Sequence, residues 1–487
     1  MSDNTYGVVV FPFLKTSSPV SIGGTVFQST DNFDGLTPEK AKSVSDISKM
    51  LFLRDDLRIR SASFAVIPNL SANDRSSPNM IHLSYLQDAV AYLYGSPHPI
   101  FGDVFLTPEH ASLAIFNPDQ VFIHQVQSDY NVDSPADSPA PSSDGLRRIP
   151  GFSGLYNFKH PFWVVPGSRL YGPQPRLTLN IAQDLSNDIT TWSAERPDFG
   201  LLFDLLDKPT TEFSMRIFAA IRWFNGAGRG SIHDHEAIVN LPIAFESLLA
   251  LPQAEKSDRL VDSISLLLGR VPRLRAWARQ FYDARSKIVH EGRAQQLYFV
   301  VTDDLAKSPG DQIYQSLLTY GRQIFRLCLG TLLVGASLAE EAGLEEQLIS
   351  NQERFERICK NLDDARSAPR DRLISVVALV DAVEHYRFVP ERLKLETLIG
   401  ATKLAAAALM ACDTSLAPEI THALKALVDA KRDPKHLGEL EALHNLDAAL
   451  SETLSDRDTE YDAIFRKLFK IIWMALFSHY YWIKQEG

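Results

Sequence analysis

The sequence predicts an α+β N-terminal module, followed by an all-helical bundle and a further all-helical C-terminal block. Three observations carry that division. Runs rich in Val, Ile and Phe that stop at Pro or Asn crowd the first part of the chain. Apolar residues then recur with helical periodicity from Leu201 onward, and a Ser-, Pro- and Asp-rich stretch, Ser128 to Gly145, interrupts the earlier part. At 487 residues the chain is too long for one ordinary core. A prior of about 150 residues per domain suggests two to four. The expected boundaries are 1–198, 199–340 and 341–487.

Within the N-terminal module, Tyr6 to Leu14 and Ile59 to Leu70 read as strands, Ile81 to Tyr94 as a helix, and Phe116 to Val126 as another strand. Ser128 to Gly145 is too poor in apolar residues to offset its ordering entropy, so it reads as a mobile insertion. Leu177 to Ile181 is strand-like and rejoins the same sheet in this reading, which keeps 1–198 one module.

The helical part follows in order. Thr211 to Asn225 carries an apolar face and is expected to end in a turn at Gly226, Gly228 and Gly230. Ser231 or Asp234 is placed to cap a helix reaching about Ala250. Lys256 to Leu268 is amphipathic, the Phe281 region follows, and Gln312 to Leu338 closes the bundle. In the last block, helices are expected over Leu344 to Leu362, Asp371 to Tyr386, Arg392 to Ala411, Pro418 to Ala430 and Glu460 to Ile483. No fixed-period repeat marks a solenoid.

Hydrophobic content of 45% with 22% charged residues is that of a globular chain, and a net charge of −11 argues against a general polyanion coat while leaving room for a local basic site. Cys328, Cys359 and Cys412 form no CxxC, so neither a disulfide framework nor a zinc knuckle is indicated and a reducing cytoplasm fits. The N-terminus lacks a basic region followed by a sustained apolar one, so no signal peptide is expected. The apolar runs Leu327 to Leu338 and Ile471 to Phe477 fall short of the about 20 residues that span a bilayer, so no membrane partner is expected. There is no P-loop. His233-Asp234-His235-Glu236 is a weak metal candidate, since adjacent ligands at a helix start rarely converge on one ion. Asp234 as a cap is the plainer reading, and neither metal nor cofactor is expected.

The segment with most chemical potential is Phe281 to Arg293, FYDARSKIVHEGR. Trp277, Phe281, Tyr282, Ile288 and Val289 recur as a buried helical stripe, and Gly292 supplies a C-terminal stop. His290 then lies in the last turn, where the helix macrodipole favours the protonated imidazole. An Arg, a polar residue, three more residues and a His near a helix end resemble the signature of the HEPN (higher eukaryotes and prokaryotes nucleotide-binding) superfamily. The wording FYDARSKIVHEG, preceded by AIRWFNGAG and EAIVNLPIAFESLLA, is similar to its Apea-like branch over about Phe213 to Leu338. The resemblance implies a helical domain that often works as a metal-independent endoribonuclease in antiviral, abortive-infection or toxin systems. Arg75 to His82 and Arg229 to His235 have related spacings, but Ser, Pro and Gly place both in loops. Pro434 argues against a second motif at Arg432 and His436.

Metal-independent RNA cleavage needs a base for the ribose 2′-hydroxyl, cationic donors for the developing phosphorane, and protonation of the departing 5′-oxygen. His290 and Arg285 suit these catalytic roles, giving a 2′,3′-cyclic phosphate and a 5′-hydroxyl. Positions five apart on an ideal helix differ by about 140°, so the two do not share a narrow face. A long Arg arm or a distorted last turn is one route to a common cleft. Dimerisation, which the resemblance implies, is the other, and a homodimer is expected.

Between residues 270 and 293 lie Arg270, Arg273, Arg275, Arg279, Arg285, Lys287 and Arg293 against Asp283 and Glu291, an excess of five basic residues in an acidic chain. Lys287, Arg279 and Arg293 are the candidate RNA contacts. A solvated helix face is the plain alternative. Glu246 resembles the buried polar residue that often accompanies the motif and is placed to orient Arg285, or to form a structural ion pair. Ser286 holds the polar position after the Arg, and Asp283 reads as a solvated or locally paired carboxylate. Gly292 stands where toxins of one HEPN subgroup commonly carry a modifiable Tyr. That leaves the N-terminal module as regulator, sensing a phage-derived trigger or another partner. The expected substrate is single-stranded RNA, for example a tRNA loop. The competing readings are a non-catalytic HEPN module that binds nucleotide or RNA as a sensor or scaffold, and a structural interaction protein.

Overall fold

The fold comes from a computed structural model. The structure describes residues 6–11, 14, 16–29, 38, 63–68, 78–94, 114–116, 123–126, 146–148, 155–158, 163–164, 184–207, 211–227, 234–252, 256–292, 297–301, 314–335, 344, 348–381, 394–413, 415–432, 435–452 and 461–473. The chain is mostly helical, with a small antiparallel sheet near its start. It divides into two compact units. One comprises Met1–Ser96, Asp103–Pro252 and Cys328–Leu338; the other comprises Pro97–Gly102, Gln253–Leu327 and Ala339–Gly487.

In the first unit the strands are β1 (Tyr6–Phe11), β2 (Val20–Ile22), β3 (Thr25–Ser29), β4 (Ser63–Pro68), β5 (Ala114–Phe116), β6 (Ile123–Val126), β7 (Leu146–Arg148), β8 (Leu155–Phe158) and β9 (Trp163–Val164). A six-stranded sheet runs β2-β3-β4-β1-β5-β9 and a three-stranded one β6-β8-β7. Central strand β1 sets Val8 opposite Val66 and Val10 opposite Phe64 on one side, and Val8 opposite Phe116 on the other. Val8, Val9, Val10 and Phe11 are all fully buried, so both faces of β1 are covered, which is why it reads as a continuous apolar run. Gly23 and Gly24, at φ 55° and 70°, make the two-residue turn between β2 and β3, a conformation that suits glycine. The strands expected in Tyr6 to Leu14 and Ile59 to Leu70 are present. Phe116 to Val126 is not one strand, because β5 ends at Phe116 and β6 belongs to the other sheet. The expected insertion 128–145 and strand 177–181 lie outside the described residues.

The helices of this unit are α1 (Pro78–Tyr94), α2 (Leu185–Glu195), α3 (Pro197–Asp207), α4 (Glu212–Ala227) and α5 (Asp234–Leu249). Their aromatic residues interlock: Tyr85 stacks on Phe218 at 4.6 Å, and Tyr92 meets Phe224 edge-on at 5.5 Å. Arg222 Nε donates to Asp88 Oδ2 at 2.8 Å and Asn225 Nδ2 to the Asp88 carbonyl at 2.8 Å, which fixes α4 on α1. Helix α4 continues through Gly226 to Ala227, past the turn expected there.

The second unit contains α6 (Lys256–Leu268), α7 (Leu274–Glu291), β10 (Tyr298–Val300), β11 (Tyr314–Ser316) and the first part of α8 (Leu317–Val334). Helix α6 has the bounds read from its amphipathic pattern. The β10–β11 hairpin corrects the expectation of an all-helical bundle and takes the start of the helix expected from Gln312. Strands of three residues leave little alternation to read.

Farther on come α9 (Asn351–Leu362), α10 (Pro369–Ser375), α11 (Val377–Asp381), α12 (Leu395–Cys412), α13 (Pro418–Asp429), α14 (Leu437–Glu452) and a helical segment over 461–473. They share one apolar core that includes Phe355, Leu398, Leu409, Leu424, Leu443 and Phe469. Helix α9 starts later than Leu344 because Ser350 and Glu353 form a capping box. The helix expected over Asp371 to Tyr386 starts at Pro369 and breaks at Val376. Helix α14 was not anticipated. Among the described residues α12 alone is long and apolar enough to cross a membrane, and its residues Leu398, Ile399, Ala405 and Leu409 are buried in this core.

Candidate active site

Helix α7 has two differently built halves. Its start is anchored. Arg273 takes a left-handed conformation at φ 67° and donates to both carboxylate oxygens of Glu353, at 2.8 and 2.6 Å, in the bidentate geometry that suits guanidinium. Burial pushes the Glu353 carboxyl up, but hydrogen bonds from Arg273 and Ser350 outweigh it and hold it below the ordinary glutamate range. Trp277 is fully buried, stacks on Phe281 at 4.8 Å and donates Nε1–H to the Leu317 carbonyl at 2.9 Å. The Gln280 amide pairs with the Val300 backbone in both directions, accepting from its N–H at 3.1 Å and donating to its carbonyl at 3.3 Å, so it acts as an added rung on β10.

The other half displays its side chains. The buried stripe of α7 is Leu274, Trp277, Ala278, Phe281 and Ala284. Ile288 is half-buried, while Val289, expected in the stripe, is 55% exposed. At about 100° per residue the stripe lies on one side of the axis, and Val289 is turned roughly 90° from its centre. Ser286, Lys287 and His290 are exposed, and Arg285 is half-buried with an Nε–H that is buried and donates no hydrogen bond. The helix stays regular to Glu291, and the Gly292 N–H closes on the Ile288 carbonyl at 3.0 Å with φ 75°, the expected left-handed stop. The last turn is therefore undistorted. That leaves the Arg285 arm, whose stem is held at the core margin, pointing about 140° away from His290. Neither residue is sealed in the core, and the helix does not turn them toward a common side.

The outward arc instead gathers Arg275, Arg279, Ser286 and His290 within about 60° of one another. All four are exposed. The basic island is smaller than its composition. Arg273 is committed to Glu353, and Lys287 to Asp283 at 2.7 Å, a hydrogen bond that raises the lysine pKa. Arg293 lies outside the described residues. Arg270, Arg275 and Arg279 are exposed and form no ion pair among the described residues. The sequence could have isolated Arg275 by its four-residue step from Arg279, but not the left-handed Arg273 that removes a cation from the site.

Glu246 is half-buried on α5, in the first unit, whereas Arg285 belongs to the second. His235 and Glu236 lie in the first turn of α5, and His233 is outside the described residues. Among the described residues no three His, Cys, Asp or Glu side chains converge as a metal site. The cysteines are poor nucleophiles: burial pushes Cys328 far up, Cys359 up to about 11 and Cys412 upward. Comparison with protein-family models, curated proteins and solved structures gives no match to this chain.

Proposed function

We propose that this protein is a metal-independent HEPN-type endoribonuclease, acting as a homodimer in the cytoplasm as an antiviral or abortive-infection effector. The observation that most favours it is the state of the candidate pair: an imidazole exposed at a helix C-terminus, and a half-buried guanidinium with one buried N–H donating to nothing. A buried donor without an acceptor costs about 1–3 kcal/mol, and a shift of the half-buried arm toward a phosphate would satisfy it. Two copies of α7 facing each other pool two Arg285 and two His290 side chains, which relieves the 140° separation within one helix.

In that site His290 takes the 2′-hydroxyl proton and Arg285 neutralises the phosphorane. The 2′-oxygen bonds to phosphorus, the P–O5′ bond breaks, and the 5′-oxygen takes the proton held by the His290 imidazolium, which completes transesterification to a 2′,3′-cyclic phosphate. Ser286 supports the pair, with Arg279, Lys287 and Arg293 on the RNA backbone. For Lys287 a phosphate must compete with Asp283. The N-terminal module, 1–198, gates the nuclease in response to a phage-derived trigger, because a constantly active ribonuclease would harm its host.

Incubating the purified chain with total RNA in EDTA tests this reading. Chelator-resistant cleavage to cyclic-phosphate ends, abolished separately by Arg285→Ala and His290→Ala, is the expected result. Full activity of both variants would refute the pair. Binding without cleavage is the outcome expected of a non-catalytic RNA- or nucleotide-binding module.

A further inference from the structure

We infer that the outward face of α7 is a phosphate track for single-stranded RNA, in which Arg275 and Arg279 seat the strand that leads to His290. The inference rests on the proposed function only in naming His290 as the reacting end; strand binding can be measured without cleavage. Arg275 and Arg279 are four residues apart, about 6 Å along the axis, and differ by about 40° in direction. His290 lies about 16 Å farther along the same arc, with Ser286 between. Both arginines are exposed and form no ion pair among the described residues, whereas the neighbouring cations Arg273 and Lys287 are held by Glu353 and Asp283. The only carboxylate on this arc is Asp283, which Lys287 neutralises, while Glu291 is turned about 100° from His290.

Charge complementarity and direction select the occupant. In a chain of net charge −11 a polyanion gains most from a local basic site, so a row of two arginines with no ion pair among the described residues, ending at an imidazole, marks where one strand of phosphates can lie. A straight rail follows one backbone, and a single strand leaves the 2′-hydroxyl free to turn in line with its phosphate. Arginine suits this role because its fork of donors stays charged and binds phosphate oxygens two at a time.

The test is fluorescence anisotropy of the full chain with a short fluorescein-labelled 2′-O-methyl oligouridine, which lacks the attacking hydroxyl, over a salt series in EDTA. Each phosphate contact to a single strand contributes about 0.7 to the slope of log affinity against log salt, so Arg275→Ala/Arg279→Ala should lower the slope by about 1.4. Arg275→Lys/Arg279→Lys should restore it, and Lys287→Ala should change it by less than half as much as the double alanine variant. A wild-type slope in the double alanine variant, no binding by wild type, or equal affinity for a duplex of the same length would each overturn the inference. Cleavage of natural RNA by wild type with an unaltered slope in the variant would sink the track and leave the nuclease standing. A slope lost as expected without any cleavage would do the reverse.

Discussion

The first and second halves of α7 are one continuous helix built for different purposes. Between Arg273 and Ala284, Arg273, Trp277 and Gln280 are tied to other elements by a bidentate ion pair, an indole hydrogen bond and an amide rung on β10, and Trp277 stacks on Phe281 within the helix. From Arg285 to Glu291 the helix is held by its own backbone and its Gly292 stop, and its polar side chains face outward or lie at the core margin. Tertiary contacts are therefore concentrated in the first half. A rigid first half can aim a second half that has few contacts to lose.

Substitutions along the helix should separate the two halves, beginning with stability in urea. Trp277→Ala removes a fully buried indole with its stacking partner and hydrogen bond, and is expected to cost about 3–5 kcal/mol. A loss below 1 kcal/mol would mean that the first half is not the anchor. Glu353→Gln weakens the grip on Arg273 and should cost about 1.5–3 kcal/mol at neutral pH.

The pH dependence has a fixed sign. Because the folded-state pKa of Glu353 lies below its unfolded value, its contribution is present above the ordinary glutamate range and is lost as pH falls through the lowered folded value. Wild type should therefore lose its advantage over Glu353→Gln in acid. An advantage that grew on acidification would contradict the assignment.

Gly292→Ala isolates the stop itself. No atom lies within 4 Å of an added Cβ, so the cost of about 1–2 kcal/mol comes from the left-handed backbone alone. At the small end, His290→Ala should leave the unfolding free energy within about 0.5 kcal/mol of wild type while lowering cleavage about 10²- to 10⁴-fold. Equal losses of stability from Trp277→Ala and His290→Ala would erase the contrast between the halves.

What the sequence revealed follows the same line. Strong periodicity and punctuation were legible: α6 carries its apolar face over its whole length, β1 is a run of Val and Phe, and Gly292 ends α7. Contacts made by single side chains over long separations were not. Nothing local announces that Gln280 will extend β10, or that Arg273 will turn left-handed to reach Glu353, 80 positions away. Val289 looked like core because it follows Ile288, yet one residue is a rotation of about 100°. Helix α14 escaped because Pro434 and Gly438 punctuate its start, and the Lys403–Glu439–His436 cluster that secures it is assembled from α12 and the loop before it. For the candidate site, residue types were readable and their directions only partly so.

The most direct test of the claim that Arg285 and His290 act together only across two copies is complementation between single variants. Arg285→Ala and His290→Ala, each inactive alone, are mixed, dissociated and reassociated, and RNA cleavage in EDTA is followed. If the site draws Arg285 from one copy and His290 from the other, about half the dimers are mixed and each has one intact site, so about a quarter of wild-type activity should return. No recovery, with mixed dimers shown to form, would contradict the account and place the chemistry within a single chain or elsewhere.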